Sequence, residues 1–279
     1  MNNYFFRDIS KEDNFNFYIQ LGFLISDIPI FITLFFVKAY YGKFFNDYNK
    51  YRSFIPTISS RTSWIIQECP CVFITIFFLY KYFNSTSIIN SILLLAFLFH
   101  YIHRTFIFPF KIKNSKNNPI EITLMAFTFC FFNAIMINRS ILLFSNYFNK
   151  DSNDFILSII QILIGYFIFF LGMYINIKHD YLMISYRKKN KDKSEYILPR
   201  GYLYELISCP NYFGELLEWL GFAILTGTFS GFVFFISTFA NLFPRAIKYH
   251  NWYKNKFKDE FNNKKDNVKD RKAIIPYII

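Results

Sequence analysis

Glycine is scarce in this chain, at nine of 279 residues. No G-x-G-x-x-G, P-loop or G-x-S-x-G pattern occurs. A nucleotide cradle built on a glycine turn is therefore excluded. If a nucleotide binds, helix-borne side chains must hold it. Histidine is scarcer still, with four residues at His100, His103, His179 and His250. That is too few for the His-rich di-iron membrane oxidases, and no metal is expected. The four cysteines, Cys69, Cys71, Cys130 and Cys209, lie in or beside apolar segments and read as buried thiols, not as a disulfide framework. Residues 1–16 are polar and mixed in charge, without a basic stretch leading into a cleavable apolar one. No removed signal peptide is expected, and the first apolar span serves as the insertion signal.

What the chain has is apolar length. It is 53% hydrophobic, with 40 Phe and 21 Tyr, and only 18% charged. Apolar runs of about 20 residues recur, each long enough to cross a bilayer as a helix. Residues 1–279 therefore read as a single polytopic membrane domain, an all-α bundle of seven transmembrane helices. The spans are 17–37, 64–80, 88–108, 120–143, 155–177, 202–225 and 229–249. A short polar N-terminus, 1–16, precedes them, and a tail, 250–279, follows. Pro210 interrupts the sixth span and predicts a kink or a half-helix there.

Charge patterning orients the bundle. Segments 38–61, 103–119, 178–200 and 245–279 hold 5, 4, 7 and 10 Lys plus Arg, which is 26 of 31. The alternate segments carry the other five, Arg7, Lys11, Lys81, Arg139 and Lys150. The positive-inside rule then predicts a cytosolic C-terminus and a lumenal or outer N-terminus. The net charge of +12 is mostly this topology signal. A nucleic-acid partner would need a soluble basic domain, and the chain has none.

Polar groups inside such spans are costly and point to function by default. Gln67 and Glu68 sit in the second span. Hydrocarbon surroundings favour the neutral acid, which can donate a hydrogen bond to a ketone; a structural bond between helices is the plain alternative. Tyr101 and Arg104 share a helix face at i and i+3. A phenol can donate a proton and an Arg can pair with phosphate, although both residues are also usual at membrane interfaces. His100 and His103 lie beside them. Asn176 and Asp180 are i and i+4, with Arg187 beyond. Asn211 and Glu215 are again i and i+4, with Glu218 one turn on. Arg245 and Tyr253 flank the start of the tail, and Asn133 and Asn138 add amides in the fourth span. Amides, carboxylates and arginines thus gather at one leaflet. Asp27, in the middle of the first span, has no evident role.

From about Tyr40 onward the chain resembles the steroid 5α-reductases of animals and plants. The matching strings are Tyr41-Gly42-Lys43, Arg61-x-x-Trp64-x-x-Gln67-Glu68-x-Pro70 and His100-Tyr101-x-His103-Arg104-Thr105. Gly172-Met173-x-Ile175-Asn176-Ile177-x-x-Asp180 follows, then Ser208 through Trp219, Asn241 through Ala246, and Arg271 through Pro276. The plant brassinosteroid-pathway members look most similar through the sixth and seventh spans. Tyr249 stands where animal members have His, and Ala134 and Arg139 replace glycines.

The resemblance implies an NADPH-dependent reductase of a conjugated enone in an endoplasmic reticulum membrane. It places Gln67, Glu68 and Tyr101 against the substrate ketone as catalytic residues. It makes Tyr41, Arg104, Asn176, Asp180, Arg187, Asn211, Glu215, Arg245 and Tyr253 cofactor contacts. The partners so implied are a lipophilic, steroid-like substrate and membrane lipid. Reduction of a very-long-chain enoyl-CoA or a polyprenol is the alternative within enzymes. A seven-span receptor or lipid carrier is the alternative outside them.

Overall fold

The structure, a computed structural model, describes residues 6, 11–37, 55–112, 117–145, 152–189, 196–262 and 267–279. Among them run seven long helices. These are α1 (Asn14–Phe36), α2 (Ser60–Tyr82), α3 (Ile88–Lys111), α4 (Ile120–Phe144), α5 (Ser152–Lys189), α6 (Pro210–Thr226) and α7 (Phe229–Lys256). Four of them start on a side-chain cap of the usual kind. Asp13, Ser59, Ser87 and Thr228 accept from the free amides of the first turns of α1, α2, α3 and α7. A two-residue antiparallel ladder, β1 (Thr57–Ile58) with β2 (Asn118–Pro119), ties the starts of α2 and α4 together.

Six of the seven helices are long and apolar enough to cross a membrane. α6 is the exception, with 17 residues. At 1.5 Å per residue it reaches about 25 Å, short of a hydrocarbon core of about 30 Å. The expected sixth span, 202–225, is therefore corrected at its first third. Tyr202–Glu205 form a 3₁₀ turn, and Ser208 and Cys209 lie outside any helix, bonded to the tail: Ser208 N to Lys272 O at 2.8 Å, Cys209 N to Ala273 O at 3.1 Å. Pro210 does not kink a helix; it opens one, in the first turn, where its missing N–H costs nothing.

The outside of the bundle is apolar. Phe73, Phe77, Tyr80, Phe99, Phe167 and Phe170 are all exposed. Continuous apolar surface of this kind suits lipid. The inside is an aromatic core in which Trp219 packs on Phe234 at 4.3 Å and on His100 at 4.5 Å, and Phe97 packs on Tyr101 at 4.6 Å.

Two seams set the positions of the helices. Along the first, α5 and α6 touch backbone to backbone. A Cβ at Gly172 would lie 2.2 Å from the Glu218 nitrogen, and one at Gly214 would lie 2.4 Å from the Asn176 nitrogen. Gly165 and Gly221 continue that seam seven residues away on each helix. Small residues allow close approach in lipid, where no hydrophobic force drives helices together. Along the second seam α1 meets α7. The buried residues of α1 are Asn16, Gln20, Phe23 and Asp27, so its inward stripe is mostly polar. Gln20 donates to Ser230 at 2.8 Å, and Ser237 donates to Asp27 at 2.7 Å.

Candidate active site

α3 carries the centre of the site. Its last turns leave α-helical geometry for a π turn at His103–Ile107, which contains Arg104. Such turns re-aim side chains and are frequent at functional sites. The Arg104 guanidinium lies against the rings of Trp64 (4.8 Å) and Phe108 (4.9 Å). It donates to Asp180 on α5 at 3.0 Å and to Glu215 on α6 at 3.2 Å. Asn211 donates to the other oxygen of Asp180 at 2.9 Å. Asn176 donates to Glu215 at 3.2 Å and to the Asn211 carbonyl at 3.0 Å. One cation, two carboxylates and two amides thus form a connected layer across three helices. The glycine seam makes it possible: Gly172 and Gly214 lie one turn from Asn176 and Glu215 or closer, and bring α5 and α6 near enough for the amide to bridge.

Of the residues singled out in the sequence, Arg104, Asn176, Asp180, Asn211 and Glu215 are brought together. Arg245 stands at the edge of the layer, donating to Asn241 on its own helix and to Tyr212 on α6, both at 2.7 Å. Arg187 is exposed two turns beyond Asp180 on α5 and acts on it through charge. Tyr253 is buried among Leu198, Phe261 and Val268 under the folded tail. Tyr41 lies outside the described residues.

Deeper in the bundle, Glu68 and Tyr101 come to one region from α2 and α3. Cys71, Cys130 and Glu68 are the titratable groups that neighbour the Tyr101 phenol. The Cys130 thiol approaches Glu68 at 3.8 Å. Tyr101 is 3% exposed, between Phe97 and Trp219. Gln67 is buried one residue before Glu68. The amides of α4 separate: Asn138 ties α4 to Thr75 of α2 at 2.9 Å, whereas Asn133 is buried with no hydrogen-bond partner among the described residues.

The two histidines of α3 face different neighbours. His103 meets the Tyr181 hydroxyl at 2.8 Å, and His100 meets Glu218 at 2.7 Å. The His100–Glu218 contact has no counterpart among the expectations from sequence. Its signal lies in two matched spacings: His100 and Arg104 at i and i+4 on α3, Glu218 and Glu215 at i and i+3 on α6. Together they make two rungs, Arg104–Glu215 at the mouth and His100–Glu218 one turn deeper.

The donor set fits a ligand with a hydroxyl- and amide-bearing part and a phosphate-bearing part. Arg104 is already balanced by two acids, so the layer around it suits hydroxyl and amide groups. Arg187 and Arg245, farther out, are cations of the kind that could hold phosphate.

A sequence profile of the family described as 3-oxo-5-alpha-steroid 4-dehydrogenase matches residues 116–279. The chain is 36% identical over 269 residues to a steroid 5-alpha-reductase DET2 of Gossypium hirsutum, covering 94% of this chain and 96% of that one. It is 36% identical over 268 residues to the DET2 protein of Arabidopsis thaliana, covering 94% and 95%. To 3-oxo-5-alpha-steroid 4-dehydrogenase 1 of Rattus norvegicus it is 34% identical over 227 residues, covering 80% and 81%. On this likeness, spread over nearly the whole chain, the protein belongs to the 3-oxo-5-alpha-steroid 4-dehydrogenase family and is an oxidoreductase acting on CH–CH groups.

Proposed function

We propose that the protein reduces the 4,5 double bond of a 3-keto-4-ene steroid with NADPH. It would do so as a seven-span protein of the endoplasmic reticulum membrane, with a lumenal N-terminus and a cytosolic C-terminus. The observation that carries this reading is that the half-buried Glu68 and the buried Tyr101 come to one region beside the Arg104 layer. NADPH supplies the hydride, and the chain supplies the rest. Asp180, Glu215, Asn176 and Asn211 hold the hydroxyl- and amide-bearing part of the cofactor, and Arg187 and Arg245 its phosphates. Glu68 and Tyr101 donate to the ketone oxygen, with Gln67 beside them. Their hydrogen bonds strengthen as negative charge gathers on that oxygen, so they stabilise the transition state more than the ground state. The aromatic core around Phe97 and Trp219 keeps water from the reacting atoms. α6 is the short crossing of the seven, its cytosolic end replaced by the strap of residues 206–209 and the tail.

Purified protein given a 4-ene-3-keto steroid should consume NADPH and yield the saturated ketone by mass spectrometry. Turnover of an enoyl-CoA with no action on steroid would move the reading to a sister activity. Turnover of neither, with no nucleotide bound, would favour a receptor or carrier. The phosphate-facing arginines also predict NADPH over NADH, and equal turnover with both would count against their role. A glycosylation reporter fused to the C-terminus should stay unmodified.

A further inference from the structure

The deeper rung, Glu218 with His100, has no part in the chemistry above. Glu218 is fully buried and His100 is 4% exposed. One Glu218 oxygen sits 2.7 Å from His100 Nδ1. The other, Oε2, is buried with no hydrogen-bond partner among the described residues. An ionised carboxylate there would leave one bare oxygen against apolar walls, a costly arrangement. A proton shared between the acid and the imidazole leaves only an under-used carbonyl oxygen, which is cheap. The charged and titratable groups that face the pair come from two helices: Arg104, Tyr101 and His103 from α3 and Glu215 from α6. α5 presents its backbone at Gly172, and α7 presents Phe234 against Trp219.

The geometry points to a proton store: the Glu218–His100 pair holds the proton that the reduction consumes and gives it up when the cofactor is oxidised. This rests on the reductase reading. Saturating an enone takes one hydride and one proton. The hydride, with both electrons, makes the new C–H bond at the β-carbon, and the π pair of the double bond shifts toward the carbonyl as an enolate. The proton from the pair makes the C–H bond at the α-carbon and restores the carbonyl. Oxidation leaves one positive charge in the site, and loss of the proton leaves one negative charge on the pair. The two charges arise together, at a depth that the cofactor must reach to pass from the Arg104 layer to Tyr101. Cytosolic water restores the proton after product leaves.

The test needs no turnover. Nucleotide binding to the full chain in detergent is followed by calorimetry in buffers of different ionisation heat, which counts protons released. NADP+ should expel about one proton more than NADPH does, because only the oxidised cofactor favours the ionised pair. In Glu218→Gln, which keeps shape and a hydrogen bond to His100, both nucleotides should bind and the difference should vanish. The same difference in Glu218→Gln as in wild type would assign the proton elsewhere and overturn the proposal. No difference in wild type overturns it without any variant, so a misfolded Glu218→Gln does not shield it. Wild type that binds neither nucleotide overturns the reductase reading itself, a distinct result. As a second readout, His100→Gln should also abolish the difference, whereas a merely structural rung would leave it intact.

Discussion

Two polar seams run through this bundle, and they differ in kind. Between α1 and α7 the polar groups are Asn16, Gln20 and Asp27 against Ser230 and Ser237. At the start of α1 the amides of Asn16 and Gln20 are shared between the half-buried Glu12, to which Gln20 donates at 2.6 Å, and Ser230; deeper in, Asp27, 6% exposed, is bonded to Ser237. Between α3, α5 and α6 the groups are one guanidinium, two carboxylates and two amides in a connected layer. There the side chains of Arg104, Asp180 and Glu215 keep 10%, 13% and 17% of their exposure. Burial alone does not separate the two seams. Charge type and depth do: the first is built of amides, acids and hydroxyls and ends in a closed one-to-one pair, Asp27 with Ser237, and the second is centred on a cation, shared and open toward the basic mouth. A polar group inside a membrane helix is thus a weak pointer to function unless its neighbours include a reachable cation.

The sharpest way to break the comparison is to remove the cation from the open layer. Arg104→Met leaves two carboxylates facing each other with no counter-charge. Losing one partner of a buried pair costs about 3–5 kcal/mol. A large drop in melting temperature in detergent is expected, together with loss of nucleotide binding. A melting temperature within a degree or two of wild type would mean that the layer is no more than solvated surface charge.

Next in size are the donors just inside the layer. Tyr101→Phe keeps ring and volume and deletes the hydroxyl. Hydride transfer in a single turnover should slow by about 100-fold, as for an oxyanion donor. NADPH affinity should hold, because the phenol acts on the growing negative charge and not on the cofactor. Glu68→Ala should be slower still, since it also leaves a polar gap beside Cys130. Single-turnover transfer at the wild-type rate in Tyr101→Phe would return that residue to the aromatic core it shares with Phe97 and Trp219.

Much of this architecture is legible in the amino-acid sequence. Six of the seven apolar runs are membrane-length helices in the expected places, because twenty apolar residues leave the backbone little choice but to bond within itself. Arg104, Asn176, Asp180, Asn211 and Glu215 gather in one layer, since i and i+4 spacing fixes which side chains share a helix face. The features that sequence does not reveal have a common cause, which is pairing across long sequence distances. Pro210 reads equally as a kink or as a first turn until the tail at Lys272 and Ala273 is seen bonded to Ser208 and Cys209. Helix α5 runs on to Lys189, past the apolar stretch that ends at 177, because hydropathy marks where the apolar run stops, whereas Lys and Arg are good helix formers that carry the helix on into water. Glu218 gives no local sign that His100, 118 residues earlier, is its partner.

Asp27 gives the smallest and most discriminating case. In sequence it is an acid isolated in the middle of an apolar span, a placement that points to function by default. In the fold it faces Ser237, 210 residues away, in the closed seam. If that seam only joins helices, Ser237→Ala should cost about 1 kcal/mol, the usual net worth of one hydrogen bond. Bonds between membrane helices run to the low end of that range, because polar groups find other partners in the unfolded state. The turnover rate and NADPH affinity should stay within about twofold of wild type, which is about 0.4 kcal/mol on the scale of 1.4 per decade. Asp27→Asn keeps an acceptor for Ser237 and should be milder still. The pair should also be coupled: once Asp27 is Ala, adding Ser237→Ala should cost almost nothing more, and a double-mutant cycle in detergent would show it. A tenfold loss of turnover in Ser237→Ala with unchanged melting would erase the distinction between the seams. It would place α1 in the reaction, and then a sealed, one-to-one polar pair could no longer be set aside as structural.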